Sequence, residues 1–344
     1  MNPYLVDLLA QPDALRTLLT NYPRQTLDDL HGRLKRREFD RIIMTGMGSS
    51  FNAAYPAFIR LSTQPTPVQF INSAELLHYL DGLISTRSLL WMNSQSGKSA
   101  EIVHLLENLK PHSPGCILTF VNDGSSPLAS RADISININA GLEATVSTKT
   151  YINTLAVNLL AAVKLTGGDV DAAIAELQMA ANAMELYLSK WEAHMDQLDL
   201  QLGEYNQIFV LGRGNSMSAV WTGSLINKEA AKCAFEGLNA AEFRHGPLEL
   251  VSREFAAIIL AGSPQTISLN RNLGLEIISH GGCVCWVDSN QDPDLFTLLL
   301  PETTDFARPL VEILPLQMLT LAMAKRKGIE AGLFRYVGKV TDRE

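Results

Sequence analysis

SLLWMNSQSGKSAEIVHLLENL, residues 88–109, has the pattern of a strand that leads through a polar turn into a helix. The first letters, SLLWM, form an apolar run of strand length, and the last, AEIVHLLENL, carry apolar residues at helical spacing. Between them lies NSQSGKS, residues 93–99. A strand, a turn and a helix in this order are the building unit of a parallel sheet covered by helices.

The turn ends in Gly97, Lys98 and Ser99, as a nucleotide-binding P-loop does. That motif also needs a glycine at position 92, where the chain has Met, so the pattern argues against a P-loop. A strand-to-helix turn still presents unpaired backbone N–H groups, and serine hydroxyls beside them add donors for an anion. The alternative is an ordinary helix start at which Ser94 or Ser96 caps the backbone. This turn alone leaves both interpretations open.

The bulk composition predicts a globular, cytoplasmic protein. The chain has 344 residues, of which 47% are hydrophobic, so one large or two medium domains are expected. A formal net charge of −8 without a long basic run argues against nucleic acid or an anionic membrane as partner. The opening residues have no basic leader, and LAVNLLAAVKL, residues 155–165, is too short to span a bilayer. Because it carries Asn158 and Lys164, we predict a buried helix there.

Cysteine and histidine usage predicts neither a metal site nor a disulfide framework. The four cysteines are too few and too scattered for such a framework in a chain of this length. Cys283 and Cys285 lie in CVCWVD, which reads as a strand, so both face one side of a sheet and core packing is favoured. The seven histidines are dispersed. We predict no metal and no cofactor.

The chain contains an internal duplication. FDRIIMTGMGSSFNAA, residues 39–54, lines up with YNQIFVLGRGNSMSAV, residues 205–220, and NSAE at 72–75 lines up with NAAE at 239–242 at about the same offset. In each copy, short apolar runs alternate with helical segments. The second copy ends in LVEILPLQMLTLAMAKRKG, residues 310–328, which we predict as one helix. The pattern predicts two α/β domains, each a mostly parallel sheet between layers of helices, as in flavodoxin-like folds.

The predicted organisation has five parts. Residues 1–35 form a helical segment, 36–168 the first α/β domain, 169–202 linker helices, 203–330 the second domain and 331–344 a C-terminal tail.

The two copies are unequal in polar residues. Neither G-x-G turn has the third glycine of a dinucleotide-binding fingerprint. In the first copy, Ser49 and Ser50 follow the glycines of the G-x-G turn. The SQSG stretch of the first copy has only a poor substitute in the second copy, AGSPQTIS at residues 261–268. We therefore predict one active site per chain.

The motifs resemble those of the sugar isomerase (SIS) domain proteins, in the double-SIS group that includes the isomerase half of glucosamine-fructose-6-phosphate aminotransferase. The matching stretches, from about residue 40 to the C-terminus, are GMGSSFNAA, NSAE, NSQSGKSAE, TVSTKTY, LGRG, KEAAKCAFEGLNAAEFRHGPLELV and GKVT. The resemblance implies two tandem SIS domains and a site for a hexose 6-phosphate in the first.

The resemblance also implies which residues hold the substrate. The phosphate cradle comprises Ser94, Gln95, Ser96 and Ser99, with Ser49 and Ser50 beside it. Ser147, in TVSTK, is implied near the sugar. The family's motif requires no lysine at position 98, so we expect Lys98 to be a solvated helix residue. The C-terminal tail is implied to close the site.

Three catalytic residues are implied by the same resemblance. Glu229 in NKEAAK would move the proton between C1 and C2, and His245 in FRHGP would open the sugar ring, in one reading from a second subunit. Lys339 in YVGKVT matches the lysine that forms a Schiff base with the sugar. Considered singly, each of these residues is by default a structural or solvated side chain. All three occur in the order of the family's motifs, and this favours a catalytic role.

Departures from the family pattern narrow the predicted function. The chain begins MNPYL without an N-terminal cysteine, so we do not expect it to draw ammonia from glutamine. Thr222 and Ile226 stand where the aminotransferase has a glutamate and a lysine that assist proton transfer, which argues against full isomerisation. We predict an amino-sugar phosphate deaminase or deglycase, acting as a homodimer or higher homo-oligomer on a small sugar phosphate. The alternatives are an aldose–ketose isomerase, an aminotransferase-like enzyme or a non-catalytic sugar phosphate sensor.

Overall fold

The computed structural model describes residues 2–109, 113–205, 207–336, 338–341 and 343. Contacts divide the chain into two units, each built around one five-stranded sheet. The N-terminal sheet unit comprises Asp13–Glu143, Thr148–Leu177 and Tyr336–Glu344. The C-terminal sheet unit comprises Met1–Pro12, Ala144–Ser147 and Gln178–Arg335. The domain boundaries inferred from the sequence remain a prediction.

The sheet of the N-terminal sheet unit is parallel throughout. Its strands are β1 (Arg41–Gly46), β2 (Val68–Phe70), β3 (Ser88–Asn93), β4 (Cys116–Val121) and β5 (Ile134–Asn137). They are hydrogen-bonded in the order β2-β1-β3-β4-β5. β3 and β4 are buried along their whole length, as expected for strands with helices on both faces. This is the order of flavodoxin-like folds.

The first nine helices of the chain lie before, between and after these strands in sequence, and the first of them belongs to the C-terminal sheet unit. They are α1 (Pro3–Leu9), α2 (Gln11–Asn21), α3 (Asp28–Lys35), α4 (Gly48–Ala53), α5 (Tyr55–Leu61), α6 (Ser73–His78), α7 (Ala100–Asn108), α8 (Pro127–Arg131) and α9 (Lys149–Leu165). α3, α4 and α5 pack against α9, whereas α6 and α8 pack against α7.

The predicted buried helix is confirmed. Every residue of α9 except Lys164 is buried. The Asn158 amide is satisfied inside the core: it accepts a hydrogen bond from Trp91 Nε1 at 2.7 Å and donates to Asn93 Oδ1 at 2.7 Å. No helix in the described parts of the chain is both long enough and apolar enough to cross a membrane.

The C-terminal sheet unit repeats the topology of the first sheet. Its strands are β6 (Gln207–Gly212), β7 (Ala234–Asn239), β8 (Ala256–Leu260), β9 (Cys283–Asp288) and β10 (Phe296–Leu299). They are parallel and in the order β10-β9-β8-β6-β7, which is the first order with each strand replaced by its counterpart. The two sheets confirm the α/β fold and the duplication.

The remaining helices are α10 (Val170–Leu188), α11 (Trp191–Leu202), α12 (Met217–Ala231), α13 (Ile267–Ser279), α14 (Arg308–Glu312) and α15 (Leu314–Arg326). The predicted single final helix is wrong, because the chain forms α14 and α15 instead. Pro315 lies in the first turn of α15, where its missing N–H is tolerated, but it cannot continue a preceding helix. Cys285 on β9 is buried and Cys283 is half-buried.

Candidate active site

The ends of β1 and β3 form the topological switch point of the first sheet. The two strands are neighbours, and Gly46 at the end of β1 is in register with Asn93 at the end of β3. The chain continues from β1 to β2 on one side and from β3 to β4 on the other. In open parallel sheets of this kind, ligands bind in the crevice beyond the carboxyl ends of such strands.

The β1 turn depends on two glycines. A Cβ on Gly46 would lie 2.7 Å from the Asn93 carbonyl oxygen, so no side chain fits between the strand ends. Gly48 begins α4 with φ +53°, in the left-handed region that glycine adopts without strain. Ser49 and Ser50 therefore lie in the first turn of α4, directly beyond the sheet edge.

The β3 turn is folded by its own serines. Ser94 Oγ accepts a hydrogen bond from Gly97 N at 3.1 Å, and Ser96 Oγ accepts one from Lys98 N at 3.2 Å. The two turns meet, because Ser50 Oγ accepts a hydrogen bond from Gln95 N at 3.4 Å. These bonds lie within and between the turns and do not cap α7. We refer to residues 48–50 and 94–99 together as the serine turns.

The serine turns keep their hydroxyl donors unused. Ser50, Ser94 and Ser96 each accept a backbone N–H through Oγ, but none of these hydroxyls donates a hydrogen bond within the described residues. Ser99 is the N-cap residue of α7, and its side chain makes no capping bond. A hydroxyl can donate one hydrogen bond and accept others. The turns thus offer several O–H donors beside a helix N-terminus, an arrangement that suits an anion.

Lys98 is not the helix residue that we expected. It precedes α7, and its Nζ pairs with Asp123 Oδ2 at 2.7 Å. The hydrogen bond from Lys98, followed by those from Ser125, lowers the pKa of the Asp123 carboxyl below its ordinary value. The helix assignment was wrong because Gly97, at φ +62°, turns the chain before α7 starts, whereas the predicted solvent exposure of Lys98 is confirmed.

Part of the C-terminal tail lies against the N-terminal sheet unit. Ala100 N, in the first turn of α7, donates a hydrogen bond to Thr341 O at 3.1 Å. Lys339 Nζ binds Glu143 Oε2 at 2.5 Å, and the Lys339 side chain is only 25% exposed. Lys339 is therefore held in place within the unit that carries the serine turns. Positions 337, 342 and 344 of the predicted tail lie outside the described residues.

Glu143 is a residue that the sequence analysis missed. Its side chain is fully buried and accepts hydrogen bonds from Thr148 N at 2.8 Å, Thr148 Oγ1 at 2.9 Å, Thr150 N at 3.0 Å and Thr150 Oγ1 at 2.6 Å. The sequence signal that could have indicated this buried carboxylate is the pair of threonines five and seven residues after the glutamate. The fixed carboxylate orients the Lys339 ammonium by a charge-assisted hydrogen bond.

Glu229 and His245 belong to the C-terminal sheet unit. Glu229 is half-buried in the last turn of α12, and the ammonium of Lys232 just beyond donates to the Glu229 backbone carbonyl and to Leu333 O. Burial, together with the charge of Arg335, lowers the pKa of Lys232. His245 is exposed and follows a 3-10 turn.

The remaining predicted positions are also in this unit. Ser147 is half-buried and directly precedes Thr148. Thr222 and Ile226 are fully buried in α12. Within the described residues, no group of three or more histidine, cysteine, aspartate or glutamate side chains could hold a metal ion.

Curated relatives match nearly the whole chain but are much longer. The glutamine–fructose-6-phosphate aminotransferase (isomerizing) of Pyrococcus horikoshii is 29% identical over 324 residues, which cover 89% of this chain and 54% of that protein. The chain thus spans about half the length of this relative.

Solved structures share the fold at low identity. The C-terminal domain of glucosamine-fructose-6-phosphate aminotransferase from Francisella tularensis has a TM-score of 0.83 at 23% identity, covering 95% of this chain and 96% of that one. Tagatose-6-phosphate ketose/aldose isomerase from Escherichia coli gives 0.82 at 18%, covering 95% and 94%. Glucosamine-6-phosphate deaminase from Thermotoga maritima gives 0.77 at 18%, covering 98% and 99%. At these identities the likeness shows the fold alone.

The SIS domain family matches this chain twice, over residues 37–164 and 201–295. Each match contains one of the two duplicated sheets almost completely. The duplication, the shared topology and the two matches agree, and the chain belongs to the SIS domain family.

Proposed function

We propose that the serine turns bind the phosphate of a hexose 6-phosphate derivative. The observation that carries this proposal is the set of hydroxyls on Ser50, Ser94 and Ser96, none of which donates a hydrogen bond within the described residues. A phosphate accepts several hydrogen bonds at once, and bonds to a charged acceptor are stronger than neutral ones. Ser49, Gln95 and Ser99 complete the proposed cradle.

The proposed reaction is removal of an amine from an amino-sugar phosphate or from an amine adduct of a sugar phosphate. The C–N bond at the sugar breaks, water supplies the oxygen of the carbonyl that remains, and the amine leaves with a proton. This needs an acid and base near C1 and C2, for which we propose Glu229, and a group that opens the ring, for which we propose His245. Lys339, held by Glu143, is proposed to close the site and to form an imine with the open-chain sugar.

Two features favour amine release over the alternatives. By the resemblance, the buried Thr222 and Ile226 replace a glutamate and a lysine that assist proton transfer in the aminotransferase. Retention of Glu229, His245 and Lys339 favours an enzyme over a sensor, which needs only the serine turns. Aldose–ketose isomerisation is the nearest rival, and the Escherichia coli structure of similar fold carries that name.

We also propose a homodimer, to be tested by sedimentation, in which the exposed His245 serves the partner's site.

The test is an assay of the purified chain with glucosamine 6-phosphate and with fructose-amine 6-phosphate adducts, read out as released amine and hexose 6-phosphate. Glu229→Gln is compared with Glu192→Gln, which removes an exposed carboxylate from α11. We expect release with the native chain and with Glu192→Gln, and loss of turnover with retained substrate binding for Glu229→Gln. An active Glu229→Gln variant would remove that residue from the mechanism. No release, with interconversion of ketose and aldose phosphates, would establish the isomerase instead.

A further inference from the structure

A cavity of about 250 Å³ lies at the amino-terminal edge of the first sheet. Ile42 near the start of β1, Leu61 at the end of α5 and Leu165 at the end of α9 line it. β1 ends at Gly46, four residues after Ile42, which at about 3.3 Å per residue is roughly 13 Å away, and the serine turns follow that end. The cavity is thus distinct from the candidate active site.

The ionisable side chains that line the cavity are all basic. His31, Lys35 and Arg37 line it, and no carboxylate is found among its described lining residues. This is notable in a chain with a formal net charge of −8. Cations gathered around one space repel one another unless an anion offsets them, so the cavity has the electrostatic character of an anion site.

Lys35 and Arg37 have no ion-pair partner among the described residues, in contrast to the neighbouring arginines. In the segment 33–38, Arg33 and Arg36 both pair with Glu38, at 3.0 and 2.8 Å. The side chains of Lys35 and Arg37 make no hydrogen bond or ion pair with a described residue. Glu38 therefore neutralises two arginines outside the cavity and neither Lys35 nor Arg37, which line it.

The backbone at Arg37 gives an independent indication. α3 ends with Glu38 N bonded to Arg33 O at 3.1 Å and Arg37 N bonded to Leu34 O at 3.0 Å, and Arg37 has φ +58°. In this type of helix end the left-handed position is usually glycine, because a side chain there strains the backbone. The strained backbone at Arg37 is consistent with a role for its side chain.

His31 adds an adaptable group to the same wall. Its Nδ1 lies 3.1 Å from Leu165 O, and because a carbonyl only accepts, Nδ1 carries the hydrogen. Nε2 is then an acceptor on the neutral ring and a donor on the protonated ring. His31 therefore adds a polar ring to the lining, beside Lys35 and Arg37.

We propose that this cavity binds a small organic anion, a phosphate or carboxylate group on an apolar body. Lys35 and Arg37 contact the anionic group, and Leu34, Leu61 and Leu165 contact the body. The volume lies just under the range of about 300–1,000 Å³ for ligand pockets, so the ligand is of metabolite size. The site is independent of the proposed active site, because none of its lining residues belongs to the serine turns.

The test is isothermal titration of phenyl phosphate into the full chain, with phenol as the uncharged probe. All titrations use the Ser96→Ala background, so that binding at the serine turns is weakened. Arg37→Gly removes the charge and places the favoured residue at φ +58°, and its melting temperature should not fall. Arg36→Ala is the matched control, because it removes the same charge from the same segment outside the cavity.

We expect phenyl phosphate to bind the background variant and to lose about tenfold in affinity in Arg37→Gly, since a hydrogen bond to a charged group is worth about that factor or more. Arg36→Ala should stay within about twofold of the background. Phenol should bind much more weakly than phenyl phosphate. Equal affinity for phenol and phenyl phosphate, unchanged affinity in Arg37→Gly, or no binding to the background variant would each overturn the proposal.

Discussion

Glu312 provides a stability prediction with a magnitude that follows from its surroundings. It lies in α14 and is fully buried. Ser216 Oγ donates to its Oε1 at 3.1 Å, whereas its Oε2 has no hydrogen-bond partner within the described residues. Burial raises the pKa of Glu312 from 4.5 to about 7, and the hydrogen bond from Ser216 and the charge of Arg308 offset only part of this rise. Arg308 is itself paired with Asp288 at 3.1 Å.

The sign follows from proton binding in the two states. Below pH 4.5 the carboxyl is protonated in the folded and the unfolded chain, so its favourable contribution is fully present. Between pH 4.5 and about 7 the folded state keeps a proton that the unfolded chain has released, so stability falls as pH rises. Each pH unit in this window corresponds to about 1.4 kcal/mol, which makes the total loss roughly 3 kcal/mol.

Glu312→Gln keeps the shape and an acceptor for Ser216 but does not ionise. We therefore expect the free energy of unfolding of the variant, relative to the native chain, to rise by roughly 3 kcal/mol between pH 4.5 and pH 7.5. The assay is urea unfolding at four pH values across that range. Glu302→Gln is the control, because it removes an exposed carboxylate and should give a difference that does not vary with pH. Parallel pH profiles for Glu312→Gln and the native chain would refute the reasoning.

Two further predictions concern the tail and the β1 turn. Glu143→Gln removes the charge that holds Lys339, so we expect turnover to fall at least tenfold and backbone amides at 338–341 to exchange faster in hydrogen-exchange measurements; unchanged exchange there would contradict the positioning role. Gly46→Ala places a methyl group 2.7 Å from the Asn93 carbonyl oxygen, so we expect a loss of about 1–3 kcal/mol in urea unfolding. Gly82→Ala, where nothing lies within 4 Å of the added carbon, should be nearly neutral, and equal effects of the two substitutions would remove the steric argument.

The duplicated sheets could be predicted because their information is local. Apolar runs such as CILTFV at 116–121 and the repeated G-x-G turns indicate parallel strands by length and composition alone. The break between α14 and α15 was missed because the apolar pattern of residues 310–328 continues across Pro315.

The resemblance identified the serine turns as a candidate phosphate site, but it could not predict which hydroxyl groups are available as hydrogen-bond donors. Ser94 and Ser96 accept hydrogen bonds from backbone N–H groups of their own turn and donate none within the described part of the chain. This depends on the backbone conformation, which the amino-acid sequence does not give directly. Glu143 was missed for a related reason. A glutamate in a loop is solvated by default, and only the folded chain shows it buried between two threonines and Lys339.

The central claim is that the serine turns hold a phosphate group, and the most direct measurement is the affinity of the chain for fructose 6-phosphate and for fructose. We compare the native chain with Ser96→Ala and with Ser62→Ala, an exposed serine outside the turns. A lost hydrogen bond to a charged group should weaken fructose 6-phosphate binding about ten- to hundredfold in Ser96→Ala alone and leave fructose within about twofold. Unchanged fructose 6-phosphate binding in Ser96→Ala, or equal losses for both sugars, would contradict the claim.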